Sequence, residues 1–565
     1  MSTSILRSPS RRARLSMSAA ALLALAACGR DRPASGAGSG SGAGDVGGTL
    51  VIATAGDADI LLPPLVASLQ AAQITSQLFD RLAEIDSTMN TVGDAAFAPR
   101  LAKSWTWSGD SLSVRFALDP RARWHDGTPV RAADVKFSYE VYADPATGSP
   151  ATELLQNVAS VDAPDSLTAV VHFKSRRPEQ FFDFVYNVYV LPQHLLGGTP
   201  HAALRTTPFA RQPVGTGRFR FVRWEPNQRI EIVADTTNWR GRPKLDRVIW
   251  SFAPDPAAAT AKLLSGEADL WEMLRGDAIG QVASKASLRA MPYASLDVGF
   301  LLFNVRGGMF ADRALRRALA ESIDREGLVR SALDTLAYVA TGPAPRALDG
   351  KPHGAITHDL AAAARTLDSL GWRMGPDSVR AKSGKPLAFG LMVPTTSQVR
   401  IRLAVLLQEQ LKQIGAKVTI EQLEPNAMMQ RLGTHKFDAM LHAWHADPSP
   451  STVRQSWGSA AANAPGSPNV AGYASRAFDA LIDSAALAFD PAQQKQLYAR
   501  AYDTLTDDAP AVWIYELRNF AGVHRRVRPA GVRADAWWAA LGDWSIPAGE
   551  RIARDKIGLR TASAR

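Results

Sequence analysis

Acid, base and metal-ligating side chains are densest at His435, Asp438, His442, His445 and Asp447. On a helix His442 and His445 would share a face and could hold a metal ion. The apolar-rich run from Phe437 to His445 reads instead as a strand, where residues three apart point to opposite faces and chelate one ion poorly. What remains is the end of that strand, Trp444-His445-Ala446-Asp447-Pro448-Ser449-Pro450. An aromatic, an acid and two prolines just past a strand C-terminus lie where α/β folds present ligand groups. The expected chemistry is a carboxylate that pairs a cationic ligand group, with Trp444 as an apolar wall or cation–π face. The alternative is that Asp447 only opens the turn before Pro448.

Catalytic motifs are sparse elsewhere. The chain has no nucleophile elbow, no Walker phosphate loop, and no histidine pair at metalloprotease spacing. His125-Asp126 offers an acid/base pair, but Asp126-Gly127-Thr128-Pro129 reads better as a turn. The glycines at 36–44 imitate a dinucleotide fingerprint in composition only, so no cofactor is expected. A single cysteine excludes a disulfide framework and any multi-cysteine zinc or iron–sulfur site. The composition, 46% hydrophobic and 21% charged, is globular, and 565 residues exceed what one core usually serves. A formal charge of +10 suggests nucleic acid until it is located. Arg7, Arg11, Arg12 and Arg14 account for four of those charges, and residues 524–565 hold nine Lys or Arg against four acids. The rest of the chain is nearly neutral, so nucleic-acid binding is not expected. The tail, notably Arg525, Arg526 and Arg528, is expected at the surface or near a membrane.

The basic start and the apolar run Leu15–Ala27 read as a secretory signal peptide over 1–27, since thirteen residues fall short of the roughly 20 that span a bilayer. Leu25-Ala26-Ala27-Cys28 resembles the bacterial lipobox, which makes Cys28 the expected lipidation site. Residues 28–46, rich in Gly, Ala and Ser, read as a flexible tether. The mature protein is therefore expected outside the cytoplasm, lipid-anchored to a membrane.

The elements that would position the Asp447 loop follow from periodicity. Leu50-Val51-Ile52-Ala53 predicts a short buried strand and Ala71–Phe79 a helix. Alternation predicts strands over Ser111–Leu118, around Phe219, Phe221 and Trp224, and over Arg229–Val233. The first half thus reads as strand-rich. Past residue 295 the pattern changes. Asp312 and Asp324 are N-caps for two helices. Leu387–Val393, a helix over Gln398–Ile414 with Gly415 at its C′ position, and Lys417–Leu423 form a βαβ unit with parallel strands. The fold class is α/β, mixed α+β, in two lobes.

Several phrases together resemble the extracytoplasmic solute-binding proteins of family 5, the peptide, oligopeptide and nickel class that serves ABC importers. They are Gly47-Gly48-Thr49-Leu50, Leu101-Ala102 with Ser104-Trp105, and Trp124-His125-Asp126-Gly127-Thr128-Pro129-Val130 with Ala132, Asp134-Val135 and Phe137-Ser138. Further matches are Pro213-Val214-Gly215-Thr216-Gly217, Trp239-Arg240-Gly241 with Pro243-Lys244-Leu245-Asp246, Gly266-Glu267-Ala268-Asp269, and Phe303-Asn304 ahead of Asp312 and Arg316. The sequence departs from the family at Arg131, where a Thr or Ser helix cap is usual, at Leu62 and in its proline-rich Asp447 loop.

The resemblance implies a two-lobed periplasmic-binding-protein-like fold with an enlarged first lobe and a two-strand hinge. Lobe 1 would span 47–290, with 512–565 returning to it, and lobe 2 would span 291–511. Hinge closure would bury the ligand between the lobes. Asp447 matches the aspartate that commonly holds a peptide's α-ammonium, after a tryptophan-bearing strand. Trp444, His445, Trp457 and Tyr473 would surround it, with core packing the alternative for the last two. Ala55 and Gly56 would approach the ligand backbone, and Arg346 or Arg402 would meet a carboxylate unless they are simply solvated. The expected partners are a peptide or similar small solute and ABC permease subunits, with the protein a monomer and not an enzyme. The rivals are a metal-chelate receptor using His442 or His445, and a lipoprotein hydrolase using His125 and Asp126.

Overall fold

The computed structural model describes residues 46–348, 354, 356–450, 452–462 and 467–556. The expectations for the signal peptide, Cys28 and the tether up to 45 lie outside the described residues.

Two large mixed sheets organise the chain. The first has seven strands, ordered Leu288–Tyr293, Asn519–His524, Leu270–Trp271, Thr49–Ala55, Arg247–Ala253, Arg229–Ala234 and Phe219–Glu225. Thr49–Ala55 lies between two parallel neighbours, and six of its seven residues are buried, as expected for a continuous apolar run. A four-stranded antiparallel sheet (Ala102–Trp107, Ser113–Leu118, Thr168–Phe173, Val158–Asp165) and a small hairpin enlarge this first lobe. The second lobe is built on six strands, ordered Ala337–Val339, Ala511–Leu517, Asp297–Phe303, Ala439–His445, Ala388–Pro394 and Lys417–Leu423.

Two short crossings join the lobes, one between Tyr293 and Asp297 and the other between Leu517 and Asn519. Ala511–Leu517 pairs inside the six-stranded sheet. The return to the first lobe therefore follows Leu517 rather than starting at 512, because the apolar run Val512–Ile514 completes the second lobe's core.

The βαβ unit forms as its pattern requires. Helix Gln398–Lys412 buries Leu403, Leu407 and Leu411, and its flanking strands pair in parallel from Ala388↔Lys417 to Pro394↔Leu423. The helix ends two residues earlier than expected, with Gln413 as its C-cap, so Gly415 lies one residue beyond C′, where its φ of +80 lets the chain turn into the next strand. Asp312 accepts hydrogen bonds from the Ala314 and Leu315 N–H groups, and Asp324 from Gly327 N–H, which caps their helices. At Arg131 the side-chain cap is missing, but Asp134 Oδ2 reaches back to the Arg131 N–H at 2.8 Å and supplies half of a capping box.

The phrase Pro213–Gly217 is explained by close packing. A Cβ on Gly215 would lie 1.8 Å from Leu78 O, and one on Gly217 would lie 2.1 Å from Gln77 O. His125 joins the same contact: its Nδ1 accepts from Gly215 N–H, and its Nε2 lies 2.9 Å from Gly217 O. Asp126 turns away to His194 Nε2 at 2.8 Å. His125 and Asp126 are thus separate structural groups and not a dyad.

Of the tail arginines expected at the surface, Arg525 and Arg528 are exposed, but Arg526 is not. Arg526 is 2% exposed, donates to Asp269 (2.8 Å), Asp555 (2.7 Å) and Thr49 O, and so fastens the tail to the first strand. Two buried carboxylates neutralise it, a partnership that tail composition does not reveal. Among the described residues no helix is long and apolar enough to cross a membrane.

Candidate functional site

Strand Asp297–Phe303 alternates with period two. Val298, Phe300 and Leu302 join one core, while Leu301 and Phe303 join the core on the opposite face. Ala439–His445 runs antiparallel beside it, with Trp444 opposite Val298 and His445 opposite Asp297. His442 and Trp444 therefore share the aromatic face, where His442 meets Phe300 edge-on at 5.4 Å and Trp444 lies 5.8 Å from it. His445 falls on the other face, its Nδ1 3.0 Å from Asp297 Oδ1. The two histidines point apart, and among the described residues no group of three or more His, Cys, Asp or Glu side chains is placed to hold a metal.

Past His445 the strand leaves the sheet, and Ala446 N–H donates to Leu296 O at 2.9 Å. The following loop lines a cavity of about 320 Å³ between the lobes. The first lobe contributes Thr88–Thr91. The second contributes Pro343, Pro345, the 444–450 loop, and Gln494, Lys495, Tyr498 and Tyr502 from helix Pro491–Asp508. Solvent reaches the Asp447 side chain through this cavity, yet partial burial by its walls pushes the carboxyl above its ordinary range, only partly offset by His445. Among the described residues no cation is ion-paired with Asp447. The hydrogen bond to Asp297 instead raises the His445 imidazole. Asp297 itself is held low: burial opposes ionisation, but His445 and the Ser295 hydroxyl stabilise the anion. His442 is pushed down to about 4, by burial and then by Arg400, which suits a neutral ring packed on Phe300.

The other expected site residues are dispersed. Trp457 is 2% exposed and sits among Phe300, Trp444, Trp513 and Tyr473, one layer beneath the cavity. Tyr473 is 3% exposed, and its hydroxyl donates to Asp508 at 2.7 Å. Ala55 ends the first strand with its carbonyl on Gln70 Nε2, and Gly56 N–H donates to Ala253 O; neither lines the cavity. Arg346 follows the cavity residue Pro345, but its N–H donates to Glu516 and its guanidinium covers the Tyr338 ring at 4.4 Å. Arg402 ties its helix to Ala332 O, away from the cavity.

Glu179 escapes sequence reading, because Arg176-Arg177-Pro178-Glu179 resembles any charged loop. Its carboxylate accepts from Thr91 Oγ1 in its own lobe and from Ser449 Oγ in the other. Gln494, Tyr498 and Tyr502 left a usable signal: their four-residue spacing places them on one helix face.

Solved structures share this architecture. The Bacillus subtilis oligopeptide-binding protein AppA, in complex with a nonapeptide, superposes with a TM-score of 0.72 at 24% identity, covering 89% of this chain and 99% of AppA. Campylobacter jejuni NikZ, in complex with Ni(L-His), gives 0.74 at 23% identity, covering 88% and 99%. In sequence, AppA is 26% identical over 485 residues, 84% of this chain and 87% of its own. The probable D,D-dipeptide-binding periplasmic protein DdpA of Escherichia coli is 26% identical over 487 residues, 85% and 90%. The model of the bacterial extracellular solute-binding proteins, family 5 Middle, matches residues 96–465. The fold is that of two-lobed periplasmic binding proteins, and the chain belongs to family 5 of the bacterial extracellular solute-binding proteins.

Proposed function

We propose that this protein is a lipid-anchored extracytoplasmic receptor that binds peptides, or similar small cationic or zwitterionic solutes, between its lobes and delivers them to an ABC permease. The observation that carries this reading is the Asp447 carboxylate, which opens onto the interlobe cavity without a cationic partner among the described residues. Partial burial makes ionisation costly, and a ligand ammonium would relieve that cost. Trp444 and the proline-lined walls would pack along the ligand, and water would fill gaps around its side chains. Cys28 would carry the acyl chains, residues 1–27 would be removed on export, and the glycine-rich tether would let the lobes reach the permease. Turnover of the ligand forms no part of this role, and a monomer suffices for it.

The test is calorimetric titration of a peptide mixture fractionated by length, against wild type and Asp447→Ala. Loss of a charge-assisted contact should weaken binding at least about tenfold, or about 1.4 kcal/mol. Wild-type affinity in the variant removes Asp447 from the site. Binding that survives there but vanishes on chelation would assign a metal complex as ligand instead.

A further inference from the structure

A second cavity, of about 330 Å³, lies wholly within the first lobe. Helix Leu69–Leu78, the segment after it, and the C-terminal segment around 533–543 wall it in. It shares no lining residue with the interlobe cavity. Its walls carry five arginines and four carboxylates. Four of the arginines are accounted for. Arg240 pairs with Asp80, which also accepts from Thr216 Oγ1 at 3.0 Å. Arg218 pairs with Asp543 at 2.7 Å, and Arg533 with Glu84 at 3.2 Å and Asp535 at 2.9 Å. Arg81 lies 3.5 Å from Glu84, its guanidinium spread over the Tyr186 and Tyr189 rings at 4.7 and 4.1 Å.

Arg100 is the exception. Among the described residues its side chain has no hydrogen bond and no ion pair, so the cavity retains one uncompensated positive charge. One further sign points to a missing acceptor. The Arg240 guanidinium is held below its ordinary value, by burial first; Asp80 opposes that, and Arg100 and Arg218 add repulsion. Guanidinium groups are planar forks matched to the oxygens of carboxylate and phosphate, and stacking on tyrosines orients one before any ligand arrives.

We propose that this cavity is a binding site for a small multiply charged oxyanion, a phosphate or a dicarboxylate, with Arg100 as its unpaired anchor. Such an anion would satisfy the excess charge and draw helix Leu69–Leu78 and the C-terminal segment together. The solute between the lobes would bind independently of it.

The experiment is titration calorimetry of the full chain with inorganic phosphate and, separately, succinate, at constant ionic strength set with chloride. Wild type should bind at least one of them saturably, and the one bound identifies the class. Arg100→Gln should weaken that binding at least about tenfold, and Arg100→Lys should restore only part of it because the charge returns without the fork. Arg100 has no side-chain partner to lose, so without anion Arg100→Gln should melt at or above the wild-type temperature and keep wild-type affinity for the interlobe ligand. No saturable binding of either anion to wild type overturns the proposal, as does undiminished binding in Arg100→Gln.

Discussion

The Ser449 hydroxyl donates to Glu179 Oε2 at 2.8 Å, across the gap between the lobes and two residues beyond Asp447. The loop that would meet a ligand is thereby fastened to the opposite lobe, and Arg176 stacked 4.1 Å from the Phe489 ring adds a second interlobe contact nearby. If a ligand binds at Asp447 as proposed, its contact and lobe closure would share this one loop.

The hydrogen bond should therefore slow ligand release. A hydrogen bond to a charged acceptor contributes about 1.5–3 kcal/mol, so Glu179→Ala should raise the dissociation rate roughly tenfold or more and change association little. Stopped-flow displacement of a fluorescent peptide measures both rates. An unchanged dissociation rate would mean that the contact does not hold the closed form.

Glu179 and Asp183 also set a pH dependence. Burial raises Glu179, and Asp183 is pushed up to about 8 by burial and then by repulsion from Glu179. Between about pH 4 and pH 8 the folded chain keeps a proton that the unfolded chain has released. Stability from this pair should be full below that window and lost as pH rises through it. Melting temperatures should fall from pH 5 to about pH 8 and level off above it, and Asp183→Asn should flatten that slope. A variant with the wild-type slope would place the titration elsewhere.

Asp447 should titrate in the opposite sense for binding. Only its ionised form attracts an ammonium, and its value is raised by partial burial. Affinity should be level above that value and drop up to about tenfold per pH unit on acidification below it. Asp447→Asn should abolish this dependence and leave the ligand-free melting temperature equal or higher, since an unpaired carboxylate is removed. A pH profile that persists in Asp447→Asn would assign the titration to another group, with His445 and its partner Asp297 the first to test.

Much of the second lobe was legible because single-chain patterns decide it: N-caps at Asp312 and Asp324, the helix stripe Leu403, Leu407 and Leu411, and Gly415 past its end. Trp444, His445 and Asp447 were legible as a group because they are contiguous, and they do line one cavity. Contacts between distant segments were not. Arg526 looks like any tail arginine until Asp269 and Asp555 surround it, and Glu179 gains its importance only from Ser449, 270 residues away. Whether an aromatic faces a cavity or a core also depends on partners far along the chain, and for Trp457 these are Phe300 and Trp513.

That placement separates Trp457 and Tyr473 from the ligand in a measurable way. Trp457 packs in a cluster of aromatic rings, so Trp457→Ala should cost about 3–5 kcal/mol of stability through lost burial and an unfilled cavity. Tyr473→Phe removes only the hydroxyl bonded to the Asp508 carboxylate and should cost about 1.5–3 kcal/mol, with peptide affinity unchanged. Urea unfolding and calorimetric titration of both variants give the two numbers. If Tyr473→Phe instead loses about tenfold in affinity at wild-type stability, its ring belongs to the ligand site and the aromatic layer is part of the pocket rather than its foundation.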